Sequence, residues 1–375
     1  MPSLTLRHPA RWLLITALAI HLPIAIRSAV RSGQPMYDFE RYYDIATNPT
    51  RPYRDFPVEY PPGTVVTLRG LAAATGSRGA FGVAVVAVSV VADVAIVAAL
   101  AWGWGINAAA CYALVIIPIV DLFYLRTDLW SAAAVTLAVA AWQRRREALS
   151  AAALAAGVAL KLWPLPFFAL FFVRVRGRTH VTAALVAGAA VVIGWIWIAG
   201  WSGVYQVLTF RGARGWQIES VIGSVMHLVG SESLRMESGS WRIGATSGPV
   251  SVLMFLLAAP LCVWSVWRGA RTAHLGTGWL AGVSALLLLS ALLSAQFVGW
   301  LAPGSAIAWT EGDRRSALMA AATIALTEVF WNWYDAVLSG AMPALVAVVA
   351  RNVVLGALLV VALRTLARTL GPVRE

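Results

Sequence analysis

The sequence predicts an all-α, polytopic transmembrane protein, and three observations carry that expectation. Of its 375 residues, 60% are hydrophobic and only 12% charged, whereas soluble domains run about 45–50% apolar and about 25% charged. The apolar residues are gathered into long runs, each close to the roughly 20 residues that a spanning helix needs. The net charge of +12 comes from basic residues scattered thinly between those runs, almost all of them Arg, with Lys161 the only lysine. That pattern excludes a nucleic-acid partner, a disordered chain and a secreted disulfide scaffold. Cys111 and Cys262 both lie inside apolar runs and read as small buried hydrophobes, not as a bridge or metal pair.

The first run, 12–30, follows Arg7 and Arg11 and is closed by Arg27 and Arg31 without a small-residue cleavage pattern. It is expected to be a retained helix and not a signal peptide. Further runs fall at 80–101, 106–121, 128–142, 148–161, 163–173, 181–199, 249–267, 276–294, 297–310, 316–331 and 344–366, giving about 12 spans in a single integral-membrane domain over 1–375. Pro164 and Pro166 separate two short runs, so 148–161 and 163–173 are expected to be broken or re-entrant helices.

Orientation follows from Arg placement, because cytoplasmic loops hold the positive charge. The dense groups are Arg144-Arg145-Arg146, Arg174 with Arg176 and Arg178, Arg268 with Arg271, Arg314-Arg315, and Arg364 with Arg368. An alternating path puts all five inside, provided that Tyr60–Thr75 lies along the outer interface. Asp38, Glu40, Asp44, Asp55, Glu59, Asp121, Asp128, Glu219, Glu232, Glu237 and Asp335 then all fall outside, eleven of the 17 acids. Two long outer segments, 32–79 and 200–247, hold most of them and are expected to roof an outward-facing site.

Four constellations could carry chemistry there. Residues 37–63 interleave carboxylates with aromatics, including Asp38, Glu40, Glu59 and Tyr60. Carboxylates accept from sugar hydroxyls while aromatic rings offer an apolar face, and a carboxylate near an acceptor hydroxyl can act as general base. A solvated interfacial loop has the same composition. Arg126 and Asp128, two apart, cannot share a helix face but could converge on a turn, where Arg suits a phosphate. A helix cap with a local Arg pair is the alternative. Lys161 precedes Trp163 and two prolines; an ammonium there either lines a cavity or reaches to the interface. Arg211, Arg214, Gln217 and Glu219 combine anion-binding and sugar-binding types, or form an Arg-rimmed surface helix. Gln296, with Phe297 and Trp300, and the Trp331–Asp335 stretch look like aromatic belts before site residues. Asp93 and Glu328 lie within runs and are expected to pair with other helices. No metal-ligand spacing, P-loop or dinucleotide fingerprint occurs, so no cofactor and no metal are expected.

Taken together, the acid after the first span, Glu59-Tyr60-Pro61-Pro62, Arg126-x-Asp128, Lys161-x-Trp163-Pro164, Arg214–Ser220 and Ser294–Phe297 resemble glycosyltransferase family 87. The resemblance implies a GT-C fold in the plasma membrane. It also implies a sugar, mannose first, carried on polyprenyl phosphate, and inverting transfer to a lipid or glycan acceptor at the outer face. It casts Asp38 as general base, with Glu40 and Asp44 as competitors. Arg126, Lys161 and Arg211 or Arg214 would neutralise the departing phosphate, and Asp128 and Glu59 would orient sugar or loop. The rival from another class is a lipid or glycolipid flippase in which the same Arg, Lys and Asp residues line a path. Such transporters often show matched halves, and this chain has no internal repeat.

Overall fold

The computed structural model describes residues 9–33, 37–173, 178–209, 213–230, 232–246 and 248–369. Over these the chain is mostly helical. In order come α1 (Pro9–Arg31), α2 (Tyr37–Thr47), α3 (Pro62–Thr75), α4 (Arg78–Trp104), α5 (Ile106–Val115), α6 (Val120–Tyr124), α7 (Asp128–Gln143) and α8 (Glu147–Leu160). They are followed by α9 (Arg178–Leu208), α10 (Val221–Leu228), α11 (Gly248–Arg271), α12 (Leu275–Leu288), α13 (Leu301–Thr310), α14 (Arg314–Asn332), α15 (Tyr334–Leu338) and α16 (Met342–Arg368).

Five helices among the described residues, α1, α4, α9, α11 and α16, are long and apolar enough to cross a membrane. A sixth span results if Ile106–Val115 and Ile117–Tyr124, bent by 45°, are one broken crossing. The break falls at Ile116, two residues before Pro118, which lacks the N–H that a continuous helix would need there. The twelve apolar runs are therefore not twelve full-length helices. Lys161 ends α8 in extended backbone, and after Pro164 the chain continues as a tight 3₁₀ segment, Leu165–Phe172. A second 3₁₀ segment, Ala295–Trp300, leads into the ten-residue α13. Within Tyr60–Thr75 the chain is helical, and Pro62 starts α3 at its first turn, where a missing N–H does no harm.

The core runs through α7 and α12, which are buried almost all round. Association in lipid relies on close packing of small residues, and α12 supplies them. Gly276 lies against the backbone of Ala308, Gly278 against Gly269, and Gly282 against Cys262, so α13 and α11 each approach α12 to near backbone contact. By contrast α9 and α11 turn Trp197, Trp201 and Phe255 outward.

Asp93 does pair with other helices. A ring nitrogen of His21 lies 2.8 Å from its carboxylate, and the Tyr112 and Tyr124 hydroxyls donate to it at 2.7 and 2.8 Å. The other ring nitrogen of His21 faces the Ala113 carbonyl at 2.9 Å. Glu328 departs from expectation, because it accepts from Asn332 one turn along its own helix at 2.9 Å.

The bundle has two chemically distinct ends. At one, Arg144 donates to the Trp102 carbonyl at 2.6 Å, and Arg268 donates to Leu366 and Thr369 at 3.2 and 2.7 Å. Glu311 there accepts from the Gly276 N–H at 2.8 Å. Four of the five dense Arg groups therefore gather at this end; the fifth lies largely outside the described residues. At the opposite end Arg78 meets Glu40 at 3.1 Å and Arg31 pairs with Asp121.

The all-α expectation needs one correction. Residues 216–243 hold a small antiparallel sheet of β1 (Trp216–Gln217), β2 (Arg235–Glu237) and β3 (Ser240–Ile243), in the order β1-β3-β2. The β2–β3 turn is Ser238-Gly239, both at positive φ (51° and 80°), which is the backbone that a two-residue hairpin requires.

Candidate functional site

A cavity of about 260 Å³ opens at the end away from the Arg groups, between the helix ends and the hairpin. Its chemistry is assembled from residues distant in sequence. Helix α2 turns about 100° per residue, so Asp38 and Glu40 point in different directions. Asp38 faces the cavity and pairs with Arg126 at 2.6 Å. Glu40 is exposed, pairs with Arg78 and does not line it. Buried Phe39 and Tyr42 anchor the helix between them.

Glu59 is buried and takes two bonds from Arg41, at 2.8 and 3.2 Å, while Arg41 also donates to the Pro57 carbonyl at 2.7 Å. The loop that carries Glu59 is pinned by the Tyr53 hydroxyl on the Tyr60 carbonyl at 2.6 Å and by Gln206, which bonds both Val58 and Tyr53. Glu59 and Tyr60 both line the cavity.

Arg126 lies on the turn between α6 and α7 and Asp128 opens α7, so the two converge on the cavity wall. Asp128 does not cap its helix; its carboxylate takes Lys161 at 2.6 Å and the Trp300 indole N–H at 3.1 Å. This pairing follows from register. Asp128 and Lys161 stand 16 and 15 residues from the Arg144–Arg146 turn that joins antiparallel α7 and α8, and so meet at the open end of the hairpin. The Lys161 ammonium also sits 5.0 Å over Phe297 and 5.8 Å over Trp300, contacts that favour a cation. Trp163 is buried behind this layer. It stacks on Trp300 at 4.9 Å and donates to the Ser131 hydroxyl at 2.9 Å, so it buttresses the wall and does not line it.

From the second long segment, Gln217 and Glu219 reach the cavity, joined by Gln296. Gln217 bonds Ser294 through its side chain at 2.9 Å and Ala291 through its backbone at 3.0 Å. Arg214 does not line the cavity; its backbone N–H donates to Glu237 at 2.7 Å. Arg211 lies outside the described residues. Burial pushes the Glu219 carboxyl up to about 7, against the opposing pull of the Arg351 guanidinium, the Ala295 N–H and Arg126.

Several residues that line or support the cavity escaped the sequence reading. Arg351, wholly buried in α16, donates to the Glu219 carbonyl at 2.5 Å; an ionisable residue inside a 27-residue apolar helix is itself a signal. Arg41 lay unweighed between Glu40 and Tyr42. Ser238, Gly239, Ser240 and Trp241 come from the hairpin, which the Ser-Gly pair between alternating flanks could have announced. Trp331 and Tyr334, read first as belt residues, also line the wall.

The cavity thus sets four carboxylates (Asp38, Glu59, Asp128, Glu219) against three cations (Arg41, Arg126, Lys161) among aromatic faces. Such a lining can hold an anion and several hydroxyls together. No group of three or more His, Cys, Asp or Glu among the described residues is placed to hold a metal.

Glu219 offers a pH test. Its unfolded carboxyl ionises near 4.5 and its folded one near 7, so the folded chain holds an extra proton between those values. Its contribution to stability is complete below 4.5 and is lost as pH rises through 7. In thermal unfolding, Glu219→Gln is expected to gain melting temperature relative to wild type from about pH 5 to about pH 8. A difference that stays constant with pH would show that Glu219 does not titrate in this range.

The profile of glycosyltransferase family 87 matches residues 58–294, well over half of the chain. No curated protein matches it.

Proposed function

Because the chain belongs to glycosyltransferase family 87, we propose that it moves a hexose, mannose being the first to test, from polyprenyl phosphate to a lipid or glycan acceptor outside the cell. That it is a multi-pass membrane glycosyltransferase follows from the family and the apolar helices. The observation that carries the finer assignment is the convergence of Asp38–Arg126 and Lys161–Asp128 in one cavity. An acid within reach of an acceptor hydroxyl and two cations within reach of a lipid phosphate are the two halves of an inverting transfer.

In that transfer the acceptor oxygen attacks the anomeric carbon from the face opposite the phosphate. The carbon–oxygen bond to phosphate breaks, its electron pair stays on the polyprenyl phosphate, and the acceptor proton passes to Asp38. Preorganised cations favour the charge that develops on the leaving group, and Arg126 and Lys161 take that part. One carboxylate suffices, since retention would require a nucleophile as well. Glu59, with Arg41, holds the α2–α3 loop, and Gln217, Glu219 and Gln296 offer partners to sugar hydroxyls.

Orientation is supported by the gathering of Arg groups at the end opposite the cavity, which makes that end cytoplasmic by the positive-inside rule. A path of twelve passes is supported by the short helices α7, α8, α12, α13 and α14 and the Leu165–Phe172 segment, which with the five long helices and the bent pair make twelve apolar segments.

The test is radiolabelled polyprenyl-phosphate-mannose in proteoliposomes that contain the full chain and extracted envelope glycolipids. Label is expected to appear in a glycosidic bond to an acceptor. Label that only changes leaflet would overturn the proposal in favour of a flippase. Transfer from a water-soluble nucleotide sugar in place of the lipid donor would overturn the donor assignment.

A further inference from the structure

A second concavity, about 610 Å³, lies at the Arg-rich end of the bundle, where α1, α5, α13 and α14 meet. It shares no lining residue with the first. The two are separated along α4, whose 27 residues span about 40 Å. The cavity between Asp38 and Lys161 belongs to the sugar chemistry; nothing in that chemistry uses this groove.

Its lining changes character along its length. At the mouth, level with the ends of α4, α13 and α14, stand Trp104, Asn107, Trp309 and Arg314. One or two turns deeper the walls are Leu13, Leu114 and Leu318, side chains that are themselves open to the surroundings of the bundle. Groups that prefer the membrane interface therefore lie at one end of an apolar trough that runs toward the membrane interior.

Arg314 gives the mouth its positive charge, and the neighbouring acids are engaged in hydrogen bonds. Glu311 accepts from the N–H of Gly276 at 2.8 Å, and Asp313 takes the Thr277 hydroxyl at 2.8 Å and the Ser316 N–H at 3.2 Å. Burial holds the Glu311 carboxyl up at about 8, despite bonds from Gly276, Leu275 and Trp104. Arg314 forms no ion pair among the described residues; its guanidinium lies 5.3 Å over the Trp309 ring, which leaves its edge donors available.

We propose that this groove is a binding site for an anionic phospholipid, with the headgroup phosphate on Arg314 and Asn107 and an acyl chain along Leu13, Leu114 and Leu318. Trp104 and Trp309 sit at the glycerol level. The site would tie α1 to α13 and α14 at the Arg-rich end of the bundle.

Cys111 lines the same groove and Cys262 is fully buried, so a thiol probe reads occupancy without any substitution. The full chain is placed in nanodiscs of phosphatidylcholine alone or with phosphatidylglycerol, and N-ethylmaleimide modification of Cys111 is followed by mass spectrometry. Phosphatidylglycerol is expected to slow modification about fivefold, the effect of one basic residue on an anionic lipid, and Arg314→Gln is expected to abolish that difference. Equal modification rates in the two wild-type discs would overturn the proposal. So would a slowing that Arg314→Gln retains, and neither result bears on sugar transfer. Native mass spectrometry of the wild-type chain released from mixed discs gives a second reading: one retained phosphatidylglycerol supports the site, and retention of phosphatidylcholine in equal amount overturns it.

Discussion

Asp38→Asn is expected to lower sugar transfer about 10²–10⁴-fold, the usual contribution of a positioned general base, while the protein folds and inserts normally. Asn keeps the shape of the side chain and can still accept from Arg126, but it cannot take the acceptor proton. Two controls separate chemistry from architecture. Glu40→Gln alters an acid two residues away that points out of the cavity toward Arg78, and it is expected to leave transfer near the wild-type rate. The pH profile supplies the other, since a rate governed by a carboxylate base falls in acid as the base protonates. That acid limb should vanish from the residual activity of Asp38→Asn. Full activity in Asp38→Asn would remove Asp38 from the mechanism, and loss in Glu40→Gln would transfer the role.

The largest effect on stability is expected from Lys161→Met. Asp128 is 1% exposed and Lys161 13% exposed on their side chains, and they meet at 2.6 Å. Removing one member of a buried ion pair leaves the other uncompensated and costs about 3–5 kcal/mol. The Trp300 indole would remain as one neutral donor to Asp128. The double variant Lys161→Met with Asp128→Asn removes both charges, so most of the stability should return. Transfer should not, because the cation meant for the leaving phosphate is still missing. Thermal unfolding and the transfer assay, run on all three variants, separate the two roles. A double variant with full transfer would show that Lys161 serves only the fold.

These residues were legible in the sequence because charge is rare in such a chain. Asp38, Arg126, Asp128 and Lys161 each stood out against apolar surroundings, and the placement of Arg sorted them to one side. Their pairing was not legible. Arg126 meets Asp38 and Lys161 meets Asp128 through a turn and a helical hairpin, contacts whose partners lie 88 and 33 residues apart. Glu40 was overvalued because spacing by two means opposite directions once the segment is helical, and the loop-like composition of 37–43 concealed that helix. Trp163 and Arg214 have the right chemistry but the wrong depth: one is packed behind Trp300, and the other engages Glu237 through its backbone. Arg351 was hidden by its apolar neighbours, although a guanidinium in that setting needs a partner, and it found one in the roof of the site. The count of about twelve spans came from hydropathy, which finds apolar runs well but not how proline and lysine shorten them.

The contacts of His21 have a bearing on how the protein is made. Its partners, the Asp93 carboxylate, the Ala113 carbonyl and the Tyr124 hydroxyl, arrive 72, 92 and 103 residues later in the chain. When the first helix leaves the ribosome and enters the insertion machinery, an imidazole therefore sits at its middle with none of them yet synthesised. The ring stays satisfied only if the helix keeps it in contact with water or the translocon until the segments bearing the carboxylate, the carbonyl and the phenol have entered. Assembly of this half of the bundle is then tied to the order of synthesis, and release of the first helix into lipid on its own would strand a polar group there.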